Sequence, residues 1–467
     1  MSIIAGYMVP HPPIIVEEVG HGEEQKISKT LESYRAVAAE IADLEPETIV
    51  VTTPHSIMYS DYNHISPGPG AYGSMAQFRA PEVHVDVEYD QDMVNAICDM
   101  AERAGLRAGT LGEKDPNLDH ATIVPLYFVN KAYKAAGKEP NYKLVRIGLS
   151  GQPLLDQYAL GVLIKNVSAS LGRKVVFIAS GDLSHYLKED GPYGFHKEGP
   201  VYDEKIMKTM GSGSFGELLT YDPGLLEAAG ECGHRSFTIM AGAFDGTDVK
   251  VKEYSHEDTF GVGYGICSFK PTGDDSSRNF GEQYVRNHDK YLAERKANED
   301  AYVSLARRAI EEYVTNNQKI NVPSGLPEEM TQKRAGTFVS LHIQGELRGC
   351  IGTTGPVRSN IAEEIIENAI SAATRDPRFE EVTPAELHYL EYSVDVLGET
   401  EPVESKEDLD VKKYGVIVTE GGRRGLLLPN LDGVSDVDQQ IAIAKRKAGI
   451  KPEEEVSLER FQVVRHY

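Results

Sequence analysis

From residue 2 to residue 180 the chain alternates short β-rich runs with stretches of helical spacing, and few architectures accept that order. Runs 2–9, 47–53, 142–150 and 174–180 read as strands. Stretches 27–43, 91–104 and 154–170 carry apolar residues at helical spacing. Strands alternating with helices specify an α/β domain, a central sheet covered by helices on both faces. A further β-rich region, 254–269, contains Gly261-Val262-Gly263-Tyr264-Gly265. At 467 residues the chain is too long for one ordinary core, so two domains are expected. The composition shifts at 270–281 (KPTGDDSSRNFG), which is rich in Pro, Gly, Ser and Asp and lacks an apolar period. The expected division is therefore 1–270 for the first domain and 298–467 for the second. Between them, 271–297 holds a linker and the start of a connecting helix. Residues 284–314 are helix-like; beyond them strands at 337–343, 391–397 and 414–419 mix with helices at 359–374 and 436–448. That mixture implies an α+β second domain.

Charge narrows the partners. Lys plus Arg is 48 and Asp plus Glu is 72, a formal charge of −24, so the mean field repels phosphates and no nucleic-acid partner is expected. The start, MSIIAGYMVPHPP, has no basic region ahead of an apolar run, and no apolar stretch reaches the roughly 18 residues of a membrane span. Neither a signal peptide nor a membrane association is expected. Cys98, Cys232, Cys267 and Cys350 show no CxxC spacing, which disfavours a disulfide framework or a structural zinc site and suits a reducing cytoplasm.

Three strand ends each deliver a histidine: His11 in Val9-Pro10-His11-Pro12, His55 in Thr53-Pro54-His55-Ser56, and His185 in Gly181-Asp182-Leu183-Ser184-His185. Ligand sites of open α/β sheets gather beyond the carboxyl ends of strands, so three rings placed there can converge. Neutral imidazole is a good ligand for iron, zinc, copper or nickel. Asp119-His120 stands before Val124-Pro125-Leu126, where Asp119 either orients His120 or caps a helix. Glu231-Cys232-Gly233-His234-Arg235 gathers a carboxylate, a thiol, an imidazole and a guanidinium; it is either part of a metal site or a helix start with a first-turn acid.

Taken together, His-Pro after the first strand, Pro-His-Ser after the second, Asp-His before Val-Pro-Leu, and Gly-Asp-Leu-Ser-His resemble the LigB-type class III extradiol dioxygenases and the related Memo proteins. The resemblance covers about residues 1–270. It implies Fe(II) held by two His and one Glu, with open positions for a catechol and O₂. On this resemblance His11 and His55 are metal ligands, His185 is the acid/base and His120 a further proton handler on the substrate side. The third ligand departs from the pattern: where the dioxygenases have Gly-His-Glu, this chain reads Gly233-His234-Arg235. Glu231 is favoured as the replacement, with Cys232, at the position of a cysteine in Memo proteins, as the alternative. A thiolate would make the site softer and better suited to copper or zinc.

In the second half, Glu346-Leu347-Arg348-Gly349-Cys350-Ile351-Gly352-Thr353, Arg375-Asp376-Pro377-Arg378-Phe379 and Gly425-Leu426-Leu427-Leu428-Pro429 resemble the AMMECR family over about residues 295–467. Arg348 and Cys350 form a candidate second site, in which Arg348 would raise the thiolate fraction of Cys350. The alternative there is a small buried thiol in a tight strand. The pairing of the two halves resembles a gene set that includes a radical S-adenosylmethionine protein; this chain has no CxxxCxxC cluster motif, so such a protein would be a separate partner. The leading expectation is an Fe(II) dioxygenase that opens a catechol-like or aminophenol-like ring with O₂. The rival is a Memo-like metal-binding or scaffold module without ring cleavage. A carboxylate in the metal shell favours the first and a thiolate the second. A homo-oligomer is compatible with either.

Overall fold

The computed structural model describes residues 2–112, 117–343, 345–431, 434 and 436–467, without the side chain of Glu346. The chain divides into two compact units, Met1–Val285 and Arg286–Tyr467.

In the first unit six strands form one sheet: β1 Ile3–Val9, β2 Thr48–Thr53, β3 Lys143–Gly148, β4 Val175–Ser180, β5 Thr247–Glu257 and β6 Tyr264–Asp274. Their order is β3-β2-β4-β1-β6-β5. The first four strands in this order run parallel. β6 pairs antiparallel with β1, and β5 with β6. Every residue of β2 (TIVVTT) and of β4 (VVFIAS) is buried, as parallel strands covered on both faces require. Five longer helices matter to the site: α1 Ser28–Leu44, α2 Gln91–Ala104, α3 His120–Ala135, α4 Leu154–Leu171 and α5 Glu198–Ser212. A sixth, α6 His234–Ala243, follows the Glu231-Cys232-Gly233 turn. On α1 the residues Leu31, Tyr34, Val37, Ala38, Ile41 and Ala42 are buried, a stripe at helical spacing that faces the sheet and α3. α6 lies tight against α4. A Cβ on Gly161 would come within 1.9 Å of the Ile239 carbonyl oxygen, so only glycine admits this crossing.

The structure refines three of these readings. The region 254–269 is not one strand but a hairpin of β5 and β6, turned through Gly261 at φ +79°. The stretch expected as a linker is ordered: Lys270 pairs with Lys250, Pro271 with Val249 and Gly273 with Asp248 in that hairpin. Its polar composition reflects an exposed strand end, and the division between units falls within helix α7, Phe280–Asn298.

The helix-like stretch 284–314 is also two helices. Asp300 accepts from the backbone N–H groups of Tyr302 and Val303 and so starts α8, Ala301–Asn316, afresh. The rest of the second unit holds β7 Thr337–Ile343, β8 Glu346–Gly352, α9 Ile361–Thr374 and β9 Leu390–Leu397. These are followed by β10 Glu401–Val403, β11 Gly415–Glu420, β12 Arg423–Leu427, α10 Val437–Lys447, β13 Ser457–Phe461 and β14 Val463–His466. They make two four-stranded sheets, β8-β7-β9-β14 and β10-β13-β11-β12. α8 and α9 pack on each other, and α9 covers the first sheet, which is an α+β architecture. No helix among the described residues is long and apolar enough to cross a membrane.

Candidate metal centre

Because β2, β4 and β1 are neighbours and parallel, their carboxyl ends open at one edge of the sheet. The loops after them carry His55, Asp182 with His185, and His11. The fourth contributor is the turn before α6. Gly181 and Gly233 let it come close: a Cβ on Gly181 would lie 2.2 Å from the Gly233 Cα. The backbone N–H of Asp182 donates to Cys232 Sγ at 3.2 Å. Ligand atoms of His11, His55 and Cys232 all lie within 4.8 Å of one another. His11 Nε2 is 3.1 Å from His55 Nε2 and 3.7 Å from Cys232 Sγ.

These separations suit a shared ion. Ligands bound at roughly 2.0–2.1 Å (nitrogen) and 2.3 Å (sulfur) at tetrahedral angles lie about 3.4 and 3.6 Å apart. Hydrogen bonding fixes the His11 tautomer as well. The Ser180 hydroxyl donates to the Ala121 carbonyl at 2.7 Å, so its oxygen accepts from His11 Nδ1 at 3.0 Å. Nδ1 therefore carries the proton and Nε2 presents a bare lone pair to His55 and Cys232. Burial first, and then the neighbouring His55, His120 and His185, push His11 well below the ordinary imidazole range, so the ring is neutral and ready to ligate.

Glu231, favoured from the sequence as third ligand, points elsewhere. Its carboxylate accepts from the His234 backbone N–H at 2.5 Å and caps α6. His234 is fully buried, with Nε2 on the Leu218 carbonyl at 3.0 Å. Cys232, the next residue, instead places its sulfur beside the two imidazoles, 3.7 Å from His11 Nε2 and 3.2 Å from the Asp182 backbone nitrogen, while the Glu231 carboxylate faces the start of α6. The same turn separates the two side chains the sequence offered as alternatives.

His120 and His185 stand in the same cleft. The His55 and His120 rings stack with centroids 4.4 Å apart, and His120 is 5.4 Å from His11. Asp119 does not orient His120. It caps α3, accepting from the Thr122 N–H at 3.0 Å, and also accepts from Thr53 Oγ1 at 2.7 Å, which ties α3 to the end of β2. Burial and the neighbouring His55 lower His120 to about 4. His185 donates from Nδ1 to the Gly230 carbonyl at 2.6 Å, so its Nε2 is the unprotonated face. Gly230 sits at φ +59° with the Tyr186 ring 2.2 Å from where a Cβ would be, a backbone only glycine adopts without strain. The cleft encloses about 740 Å³, and Phe78, Tyr193, Phe260 and Tyr264 supply its aromatic wall. Asp182, quoted in the sequence only as part of the motif around His185, is the polar residue that sequence reasoning passed over. Its carboxylate accepts from the His11 N–H at 2.8 Å, and burial pushes it up to about 7.

In the second unit, Arg348 does not face the thiol. It pairs with Glu386 at 2.7 Å and donates to the Glu380 carbonyl. The cation beside Cys350 is Arg378, held by Asp376, which also accepts from the Cys350 N–H at 2.9 Å. Burial nevertheless raises the Cys350 thiol above its usual range. In the intact protein Cys350 should be alkylated by iodoacetamide at pH 7.5 more slowly than a free thiol, because the reacting thiolate becomes scarcer as the proton is held more tightly. Peptide mass spectrometry reads this; faster labelling than free cysteine would restore the activated nucleophile.

The chain matches the model for the catalytic LigB subunit of aromatic ring-opening dioxygenase over residues 5–267 and the AMMECR1 model over residues 303–466. Protein CA_C1420 of Clostridium acetobutylicum is 41% identical over 483 residues, spanning 100% of this chain and 99% of its own length. A Thermotoga maritima protein is 51% identical over 170 residues, 36% of this chain and 98% of its own. Among solved structures, protein PH0010 from Pyrococcus horikoshii covers 35% of this chain and 88% of its own at 34% identity and a TM-score of 0.33. The names of these relatives state no activity.

Proposed function

The chain belongs to the family of the catalytic LigB subunit of aromatic ring-opening dioxygenase, with an AMMECR1 domain after it, and from that premise we propose that its first domain holds one thiophilic metal ion, copper or zinc, through His11, His55 and Cys232 and presents it to a small molecule in the cleft. The observation that carries this reading is the compact group of two imidazoles and one thiol, two of which line the cleft. A thiolate in place of a carboxylate selects softer metals than Fe(II). The bound ion supplies Lewis acidity and, if it is copper or iron, a redox partner. Burial keeps the Cys232 sulfur a thiol in the metal-free protein, and the Asp182 N–H stands ready to stabilise its thiolate. His185 accepts a proton at Nε2 from a molecule in the cleft, and neutral His120 stands beside His55 as a second acceptor.

Ring cleavage with Fe(II) is the second reading. It is favoured by the two neutral imidazoles that face one open cleft, the arrangement a catechol or aminophenol needs to lose its protons as O₂ reacts. A separate radical S-adenosylmethionine protein remains part of the first reading as a partner.

Cobalt(II) substitution tests the thiolate. The wild-type protein should show a thiolate-to-cobalt charge-transfer band in the near ultraviolet, and Cys232→Ser should lose it while still binding cobalt. A band-free wild type overturns the ligand set. Oxygen uptake by the Fe(II)-loaded protein with a panel of catechols and aminophenols decides the second reading.

A further inference from the structure

Gly263 of the Gly261–Gly265 motif and two ionisable groups behind the cleft are unused by the site described above. Asp203, on α5, is 2% exposed. Its Oδ1 accepts from the Ser184 N–H at 2.8 Å, and its Oδ2 lies 2.9 Å from His256 Nε2 on β5. Gly263 makes room for it: a Cβ there would stand 2.0 Å from Asp203 Oδ2. The same glycine zips the loop that carries His185 to the sheet, since the Leu183 N–H donates to the Gly263 carbonyl at 2.8 Å and the Gly263 N–H to that of Ser184 at 2.8 Å. The His256 side chain is 34% exposed, so the pair runs from solvent to the backbone of the residue before His185.

We propose that Asp203 and His256 are a positioning pair that holds the His185 loop and sets the proton affinity of His185 from behind the cleft. This rests on the reading of His185 as the proton-handling group. Two opposed charges act on one ring. The Asp203 carboxylate favours protonated His185, and the cationic form of His256 offsets that field. The groups that face the pair are few. Asp203 meets His256 and Asp258. His256 meets Asp203, Asp258 and Glu253, all of which favour its cation. The charges of His55, Asp203 and His11 reach His185, with the Tyr193 ring 5.2 Å away. Burial holds Asp203 above the usual carboxylate range, and His256 and then the Ser184 N–H partly offset it.

The test is a proton titration of His185 in the full chain, with ¹³C-labelled histidine read by NMR and the His185 signal assigned by its loss in His185→Gln. Asp203→Asn keeps an acceptor for Ser184 N–H but removes the charge, and the His185 midpoint should fall by roughly half a pH unit or more. His256→Gln keeps a donor for Asp203 and removes the cation, and the midpoint should rise. A packing role alone would move both variants the same way. Shifts in one direction, or no shift, overturn the proposal; if Asp203→Asn does not fold, an unmoved or lowered midpoint in His256→Gln does so by itself. The titration needs neither metal nor turnover, so failure of the acid/base reading shows separately, as full oxygen uptake by His185→Gln.

Discussion

Metal affinity should fall at least tenfold in His11→Ala and again in His55→Ala, with each variant still folded. Loss of a group that merely supports a ligand already costs about 10–100-fold, and the proposed function makes these two rings ligands themselves. The two variants differ in what else they lose. His11 is 1% exposed and braced by Ser180 and Asp182, so its truncation also leaves a cavity and an idle Ser180 oxygen. His55 is more exposed than His11, so His55→Ala leaves less of a cavity and loses chiefly the metal-facing ring and its stacking on His120. Competitive titration against a chromophoric chelator measures both. Gly181→Val is the geometric counterpart: it keeps all three ligands but drives the strand-end loop into Gly233, and it should lose metal to the same extent. Metal retained stoichiometrically and tightly in both His→Ala variants would remove the site from this cleft.

The parallel part of the sheet was legible because its strands carry continuous β-branched and apolar runs, and a buried parallel strand needs little else. The convergence of His11, His55 and His185 followed from the same reading, since strand ends of one sheet share an edge. Four features were not legible. The hairpin of β5 and β6 extends through Pro271 and Gly273, residues that signal a break in isolation but are tolerated on an outward strand end. The break between α7 and α8 rests on the single cap Asp300 within an otherwise unbroken run of helix formers. The third ligand depended on which of two adjacent side chains caps α6. Sequence spacing puts Glu231 and Cys232 equally near, and only the close approach of Gly181 to Gly233 decides that the sulfur turns inward. The same limit applied to Arg348, whose partner Glu386 lies 38 residues away and was invisible to local pattern.

Proton release on metal binding separates the thiol from every other donor in the cleft. Burial holds His11 well below the ordinary imidazole range and also lowers His55, so neither ring has a proton to lose above neutrality. Cys232 does, because burial, the first cause, and then the nearby Asp182 and Glu231 raise its thiol well above the usual range. A ligand that must lose one proton makes the apparent affinity rise tenfold for each pH unit below its own midpoint. Between pH 7.5 and 9 the apparent metal affinity should therefore increase about tenfold per pH unit in the wild type and stay level in Cys232→Ser. The sign is fixed: protons compete with the ion for the sulfur, so acid weakens binding. Below pH 7 the slope should steepen toward about two protons. Asp182, raised to about 7 by burial, loses its own proton once a cation sits nearby. Asp182→Asn should abolish that steepening and leave the slope above pH 7.5 unchanged. A wild-type slope of zero in the alkaline range would mean that the sulfur does not ligate, and the soft-metal reading would fall with it.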